Sequence, residues 1–253
     1  MPAFELARMS WREAKEAFAT AHLALVPIGS CEQHGPHMAL DTDTAIAEAF
    51  ARRLCDHLGE IAILCPAIAY GMSEHHLAFA GTMTLRATTL LGTIREIVQS
   101  LAHHGLRKVL FVNGHGGNLD GLRLAAREAS RDGPADVAAI MWALLAADLI
   151  AKRAAMSRYG HACDIETSVA MAIAPHVVFA DRITAPAPPP VEPALVEPQG
   201  ARMDVPTRFD EWTTDGALGD PRLANQALGE EIVALALARA VEFARRFAGV
   251  EPL

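Results

Sequence analysis

Apolar runs along this chain alternate with stretches whose apolar residues recur every three to four positions, a pattern that predicts strands separated by helices. Residues 22–28 (HLALVPI) are almost continuously apolar, as in a strand buried on both faces. Residues 61–69 (IAILCPAIA) predict a second strand, with Pro66 arguing against a central place because it has no ladder N–H to give. Residues 108–112 (KVLFV) and 136–142 predict two more. Helical patterns lie between them: 44–58, stopped at Gly59; 89–104, closed by Gly105; and about 120–131. Ser10 and Glu13 have capping-box spacing ahead of a short helix, with Trp11, Ala14 and Phe18 as its expected inner face. Further on, 164–174 predicts a helix stopped by Pro175, and 221–247 a long Ala-rich amphipathic helix. The proline-rich stretch 185–198 (APAPPPVEPALVEP) predicts an extended loop. Repeated strand-then-helix order with continuous apolar strands is the signature of an α/β fold, a parallel sheet covered on both faces.

Composition narrows the function classes. A chain of 253 residues, 51% hydrophobic and 21% charged, buries a sizeable core without disulfides, which excludes a largely disordered protein. The net charge of -8 argues against a protein that coats nucleic acid, because neutralising phosphates needs basic surface. No apolar run reaches the length of a membrane span, and Met1 leads into Glu5, Arg8 and Arg12 rather than a signal-peptide core. Cys31, Cys55, Cys65 and Cys163 show no CxxC spacing, so the expected setting is the reducing cytoplasm. The 11 histidines point toward metal or acid–base chemistry.

Three segments carry that chemistry. The first, PIGSCEQHGPHMALDTDT, follows the first strand, where an α/β sheet places its ligand crevice. Glu32 and His34 are two apart and share one side of an extended backbone, and Asp43 arrives at the next helix start. A carboxylate, an imidazole and a second carboxylate suit a divalent cation, while Asp41 and Asp43 equally suit an ordinary helix N-terminus. The second segment, NGHGGN, follows the 108–112 strand and holds His115 among glycines that let backbone approach a ligand closely. It lacks the third glycine of a dinucleotide fingerprint and the lysine of a phosphate loop. The third, HACDIETS, offers His161, Asp164 and Glu166 around a helix start, where acids also serve the helix dipole alone. Glu74, His75 and His76 stand at an expected pocket mouth, with one of the two histidines facing solvent.

Taken in order, PIGSCEQHGPHMALDTDT, YGMSEHHLAFAGTMTL, NGHGGN, HACDIETS and GALGDPRLANQALGEE resemble the creatininase family of metal-dependent amidohydrolases, over about residues 27–231. The resemblance implies one three-layer α/β/α domain spanning 1–253 with a mostly parallel sheet, assembled as a homo-oligomer, often a hexamer. It implies two divalent metal ions per chain, Zn2+ first and Mn2+ or Fe2+ otherwise. Glu32 and His115 would hold one ion, His34 the other, and Asp43 would bridge them. In creatininase a carboxylate two residues beyond the His115 position is a ligand. That position here is Gly117, and relatives with an NGHGGN loop complete the second ion with the acid matching Glu166. His161 matches the family's catalytic histidine, although Gly160 replaces the glutamate that precedes it there, and both departures argue against creatinine as substrate. Asp164 would be a second proton carrier, and Gly116, Gly117, Ser73 and His75 would meet the substrate. The implied activity is hydrolysis of a nonpeptide C–N bond in a cyclic amide, formamide or related small molecule, by a water activated between the two ions. A mycofactocin-precursor-type peptidase, and a metal-bearing binding or sensor protein without turnover, are the alternatives.

Overall fold

The computed structural model describes residues 4–154, 160–187 and 208–251. Strands β1 (Leu23–Ile28), β2 (Ala62–Leu64), β3 (Lys108–Asn113) and β4 (Asp136–Met141) form one parallel sheet in the order β2-β1-β3-β4. The helices are α1 (Trp11–Thr20), α2 (Thr42–Leu58), α3 (Ala87–His103), α4 (Leu119–Asp132), α5 (Trp142–Leu145), α6 (Ala147–Arg153), α7 (Asp164–Ile173) and α8 (Gln226–Ala248). Side chains alternate across the strands and feed two cores. Leu23, Leu25, Leu110, Val112 and Ile140 pack on one face with Phe50 and Leu54 of α2, Val169 of α7 and Ile232 of α8. Ala24, Val26, Val109 and Phe111 pack on the other with Ala17 of α1, Leu90 and Ile94 of α3 and Leu122 of α4. Both faces are covered, which is why the strands read as unbroken apolar runs.

The strand order positions the site. From β1 the chain crosses through α2 to β2 on one side, and from β3 it crosses through α4 to β4 on the other. The two connections leave in opposite directions and open a crevice at the carboxyl ends of β1 and β3, the topological switch point of an open α/β sheet.

The structure departs from the sequence pattern at several places. β2 covers only Ala62–Leu64, and its pairing with β1 resumes as a single bridge between Ile28 and Ile68. Exposed Pro66 sits in the gap, where it can donate nothing to the ladder. Trp11 is 71% exposed, so the inner face of α1 starts at Ala14 and runs through Ala17 and Phe18. The long C-terminal helix begins at Gln226 rather than 221, because the Asn225 side chain caps it by accepting from the Leu228 N–H. Pro221–Leu223 is a separate 3-10 turn capped by Asp220. The pair α5 and α6 has no counterpart in the sequence pattern. Of the proline-rich stretch, residues 188–198 lie outside the described residues.

Helix α7 is seated on α8 with little tolerance. A Cβ at Gly229 would fall 1.9 Å from the Ser168 carbonyl oxygen. Gly229→Ala is expected to destabilise the protein by about 1–3 kcal/mol through overpacking, whereas Gly92→Ala in α3, with open space around the new methyl, is expected to be neutral or stabilising by up to about 1 kcal/mol. Urea unfolding of the two variants checks this, and equal midpoints would contradict the close packing.

Candidate metal centre

Three loops at the carboxyl ends of the strands converge here, and polar side chains tie them together. After β3, Asn113 accepts from the His115 N–H through Oδ1 and donates through Nδ2 to the His115 carbonyl, fixing the turn that presents His115. Asn118 donates to the Gly29 carbonyl at the end of β1 and accepts from the Met72 N–H, so one amide joins all three loops. Ser30, in the loop after β1, donates to Asp43 Oδ2 at 2.7 Å. Asp43 lies in the first turn of α2, where unpaired backbone N–H groups favour an acid.

Within this frame Glu32, Asp43 and Glu166 are all buried and lie close to His34, His115, His76 and His161. Asp43 turns its two oxygens to different histidines: Oδ1 is 3.2 Å from His34 Nε2, and Oδ2 is 3.0 Å from His115 Nδ1. Glu32 Oε1 stands 3.2 Å from His115 Nδ1, 3.3 Å from His76 Nε2 and 3.7 Å from His161 Nδ1. Glu166 Oε2 is 3.9 Å from His34 Nε2 and accepts the Ala162 N–H at 2.6 Å. Ala162 has φ 49°, a conformation that disfavours a Cβ and that aims its N–H at this carboxylate.

These residues fit divalent cations. Neither Glu32 oxygen has a partner in hydrogen-bond geometry, although both are wholly buried. Among the described residues every ion pair of the three acids is with a histidine. Buried carboxylates left this way are costly unless cations join them. Two ligand atoms on one zinc are roughly 3.3 Å apart, which is the range of the separations above. Glu32, His34 and Asp43 form one group of donor atoms close enough to share an ion, His34, His161 and Glu166 a second, and Glu32, His75 and His115 a third.

The outer nitrogens agree. His34 Nδ1 lies 3.1 Å from the Glu32 carbonyl, and His115 Nε2 lies 2.9 Å from the Met72 carbonyl. Each carbonyl takes the outer ring proton, so the nitrogen facing the acids is the one that can give up its proton to an ion, the arrangement of a metal-ligating histidine. Gly117 belongs to the same contact: a Cβ there would lie 2.3 Å from the Met72 oxygen and 2.4 Å from His115 Nε2. A longer side chain at 117, such as the family's carboxylate, has no room in this loop.

The other expected site residues sit around or behind this cluster. Ser73 is wholly buried behind His115, its Oγ 3.4 Å from His115 Nε2. Asp164 is wholly buried at the start of α7 and belongs to none of the metal-capable groups of described residues. His75 is half-buried and stacks on the His115 ring at 5.7 Å. Gly116 has open space beside it. Gln33, Ser30 and Phe209 are the residues that sequence reasoning missed, and His76, expected at a pocket mouth, turns fully inward. For His76 the signal was its adjacency to His75, but the pattern does not say which ring turns inward. Phe209 lies far along the chain, and its ring rests 4.2 Å from His76 and 4.8 Å from His161. The cysteines take no part: burial pushes the thiols of Cys55, Cys65 and Cys163 up to about 12.

The protein matches the family model Creatininase: Creatinine amidohydrolase over residues 7–244. The chain belongs to the creatininase family, and it is a metal-dependent amidohydrolase of that family. It is 37% identical over 223 residues to the mycofactocin precursor peptide peptidase of Mycobacterium ulcerans, covering 83% of this chain and 79% of that one. It is 28% identical over 246 residues to the creatinine amidohydrolase of Pseudomonas putida, covering 89% and 90%. Among solved structures, one described as creatininase Mn superposes with a TM-score of 0.79 at 25% identity, covering 96% of this chain and 98% of that one. The expected α/β fold is the fold of these structures. Among the described residues no helix is long and apolar enough to cross a membrane.

Charges in the centre are strongly coupled. Burial opposes charge on His34, but the carboxylates of Asp43, Glu166 and Glu32 together outweigh it and raise the imidazole to about 10. His115 is also raised, its burial overcome by Glu32 and Asp43, and burial raises Glu166 to about 7. Burial drives His76 down to about 2 and holds His161 well below the usual histidine range. A raised histidine stabilises the folded state fully below its unfolded value near 6.5 and loses that contribution as pH climbs through the folded value. Metal-free protein should therefore melt at progressively lower temperature from pH 7 to 10. Metal-loaded protein should not show this trend, and loading at pH 7 should release protons. Thermal melts of chelated protein and calorimetry in buffers of different ionisation heat check both. A flat metal-free profile, or uptake without proton release, would contradict the assignment.

Proposed function

We propose that this protein hydrolyses the C–N bond of an amide at a centre of two divalent ions. The single observation that carries this reading is Asp43, whose two oxygens face different histidines and so suit a bridge between two ions. His115 and Glu32 would hold one ion, and His34 and Glu166 the other. When bound, the ions supply Lewis acidity for the carbonyl and bring the pKa of a water toward neutrality.

The chain's own residues provide the rest. His161 is held through Nε2, 2.6 Å from the Gln33 carbonyl and 3.0 Å from the Gln33 side-chain NH2, and its Nδ1 faces Glu32. From there it accepts a proton from the attacking water and returns it to the leaving nitrogen. Phe209 covers the ring and limits water to the reacting side. Beside Gly116 the backbone leaves room for a substrate carbonyl or carboxylate, and Asp164, buried at the start of α7, would be a second proton carrier. The single domain of 1–253 would thus form the whole centre.

The substrate class proposed first is a nonpeptide amide: a cyclic amide, formamide or related small molecule. It is supported by the likeness to creatinine amidohydrolase, which runs along 89% of this chain. A peptide amide is the second reading, favoured by the higher identity, 37%, to a mycofactocin precursor peptide peptidase. Purified protein should carry about two divalent ions per chain, and Asp43→Ala should lose both. His161→Ala should keep the ions and lose at least ~100-fold in turnover. Elemental analysis, followed by a panel of cyclic amides, formamides and short peptides on metal-replete enzyme, separates the readings. Saturable binding without product across the panel would leave only a binding protein, and well under one ion per chain would sink the two-ion centre.

A further inference from the structure

His161 stands between two residues of positive φ, Gly160 at 148° and Ala162 at 49°. Glycine takes such a conformation freely, whereas alanine keeps it only where neighbouring contacts over-determine it. Those contacts come from far along the chain. The Leu218 N–H donates to the His161 carbonyl at 2.8 Å, in an isolated antiparallel bridge. Gln33 grips the ring, its carbonyl 2.6 Å and its side-chain NH2 3.0 Å from Nε2. Gln33 is itself braced by the segment that carries Leu218: a Cβ at Gly216, whose φ is 88°, would fall 1.8 Å from Gln33 Oε1.

Asp215 folds the segment that delivers both contacts. Its Oδ1 accepts from the Thr213 hydroxyl at 2.8 Å and from the Ala217 N–H at 3.2 Å, and its Oδ2 accepts from the Ala187 N–H at 2.7 Å. The Thr213 hydroxyl oxygen in turn accepts the N–H of Asp215 at 3.4 Å and that of Gly216 at 3.2 Å. Asp and Thr side chains that accept from the backbone two residues on hold a turn of defined shape. Thr213 is buried, so water does not compete for its hydroxyl. The turn leaves Gly216 backed against Gln33 and Leu218 within reach of His161.

Resting on the reading of His161 as the proton carrier, we infer that Asp215 is a positioning residue for that histidine: by folding the 213–217 turn it seats Gly216 on Gln33 and Leu218 on the His161 carbonyl, and these two contacts fix the His161 ring in front of Glu32. Asp215 belongs to none of the metal-capable groups of described residues. Its loss should therefore move the histidine and spare the ions.

The test compares full-length wild type with Asp215→Ala, Asp215→Asn and Thr213→Val, each zinc-loaded and labelled with 15N. The His161 ring signals are identified by their loss in His161→Ala. Asparagine keeps an oxygen for the turn and loses the acceptor for Ala187, whereas alanine loses both. Asp215→Ala should take up the wild-type number of zinc ions and shift the His161 ring signals, with those of His34 and His115 unmoved. On the best substrate of the amide panel its kcat should fall about 10–100-fold, the scale of a misplaced catalytic group, with KM little changed. Asp215→Asn should return the wild-type ring signals and most of kcat. A folded Asp215→Ala with wild-type His161 signals overturns the inference, and so does a loss that Asp215→Asn shares in full. If Asp215→Ala does not fold, Thr213→Val, which removes one hydroxyl of the same turn, decides by the same signals. Turnover retained in His161→Ala, or absent on every panel compound, would remove the proton-carrier reading and leave the ring signals to decide the positioning.

Discussion

Everything at the head of this sheet is arranged around one expense: three carboxylates, Glu32, Asp43 and Glu166, buried together with only imidazoles as ion-pair partners among the described residues. Like charges in a poorly solvated pocket repel and lose hydration, and no folded chain keeps them ionised without cations or protons close by. The histidines answer that demand in the metal-free state, which is why His34 and His115 hold protons so tightly. A divalent ion answers it better and displaces those protons. The same three acids explain the rigid loops around them, since a ligand set works only if its members cannot relax away from one another.

Rigidity is supplied by short-range contacts more than by the strands. Asn113 and Asn118 lock the loop after β3 to the loops after β1 and β2, and Ser30 fixes one oxygen of Asp43. Outside that ring of polar contacts one apolar core holds both α2 and α7 in place, so Asp43 and Glu166 approach the crevice from the same side of the sheet. The tightness of the α7–α8 packing therefore bears on the position of a carboxylate as well as on stability.

Gly117 leaves no side chain at its place in the loop after β3, and a carboxylate reaches the centre from another element instead. The space beside residue 117 is taken by the Met72 carbonyl, the His115 ring and His75. Glu166 brings a carboxylate to His34 from the first turn of α7, held by the Ala162 N–H in a backbone conformation that is unusual for alanine.

The order of strands and helices, the crevice after the first strand and the identities of Glu32, His34, Asp43, His115, His161 and Glu166 were legible in the sequence. Periodicity reflects which faces are buried, and short motifs keep neighbouring ligands in sequence order. Helix and strand limits were less so: Pro66 cut β2 short and Asn225 moved the start of α8, because one missing or one added hydrogen bond settles an element's end. The inward turn of His76, the two-faced grip of Gln33, the lid of Phe209 and the burial of Ser73 were decided only by the tertiary structure. Each depends on which residue from a distant loop supplies a donor, an acceptor or a van der Waals surface. Sequence alone determined the chemical types brought to the crevice. The fold determined which nitrogen of each ring faces the acids, because the main-chain or side-chain partner on the far side of the ring fixes which way it turns.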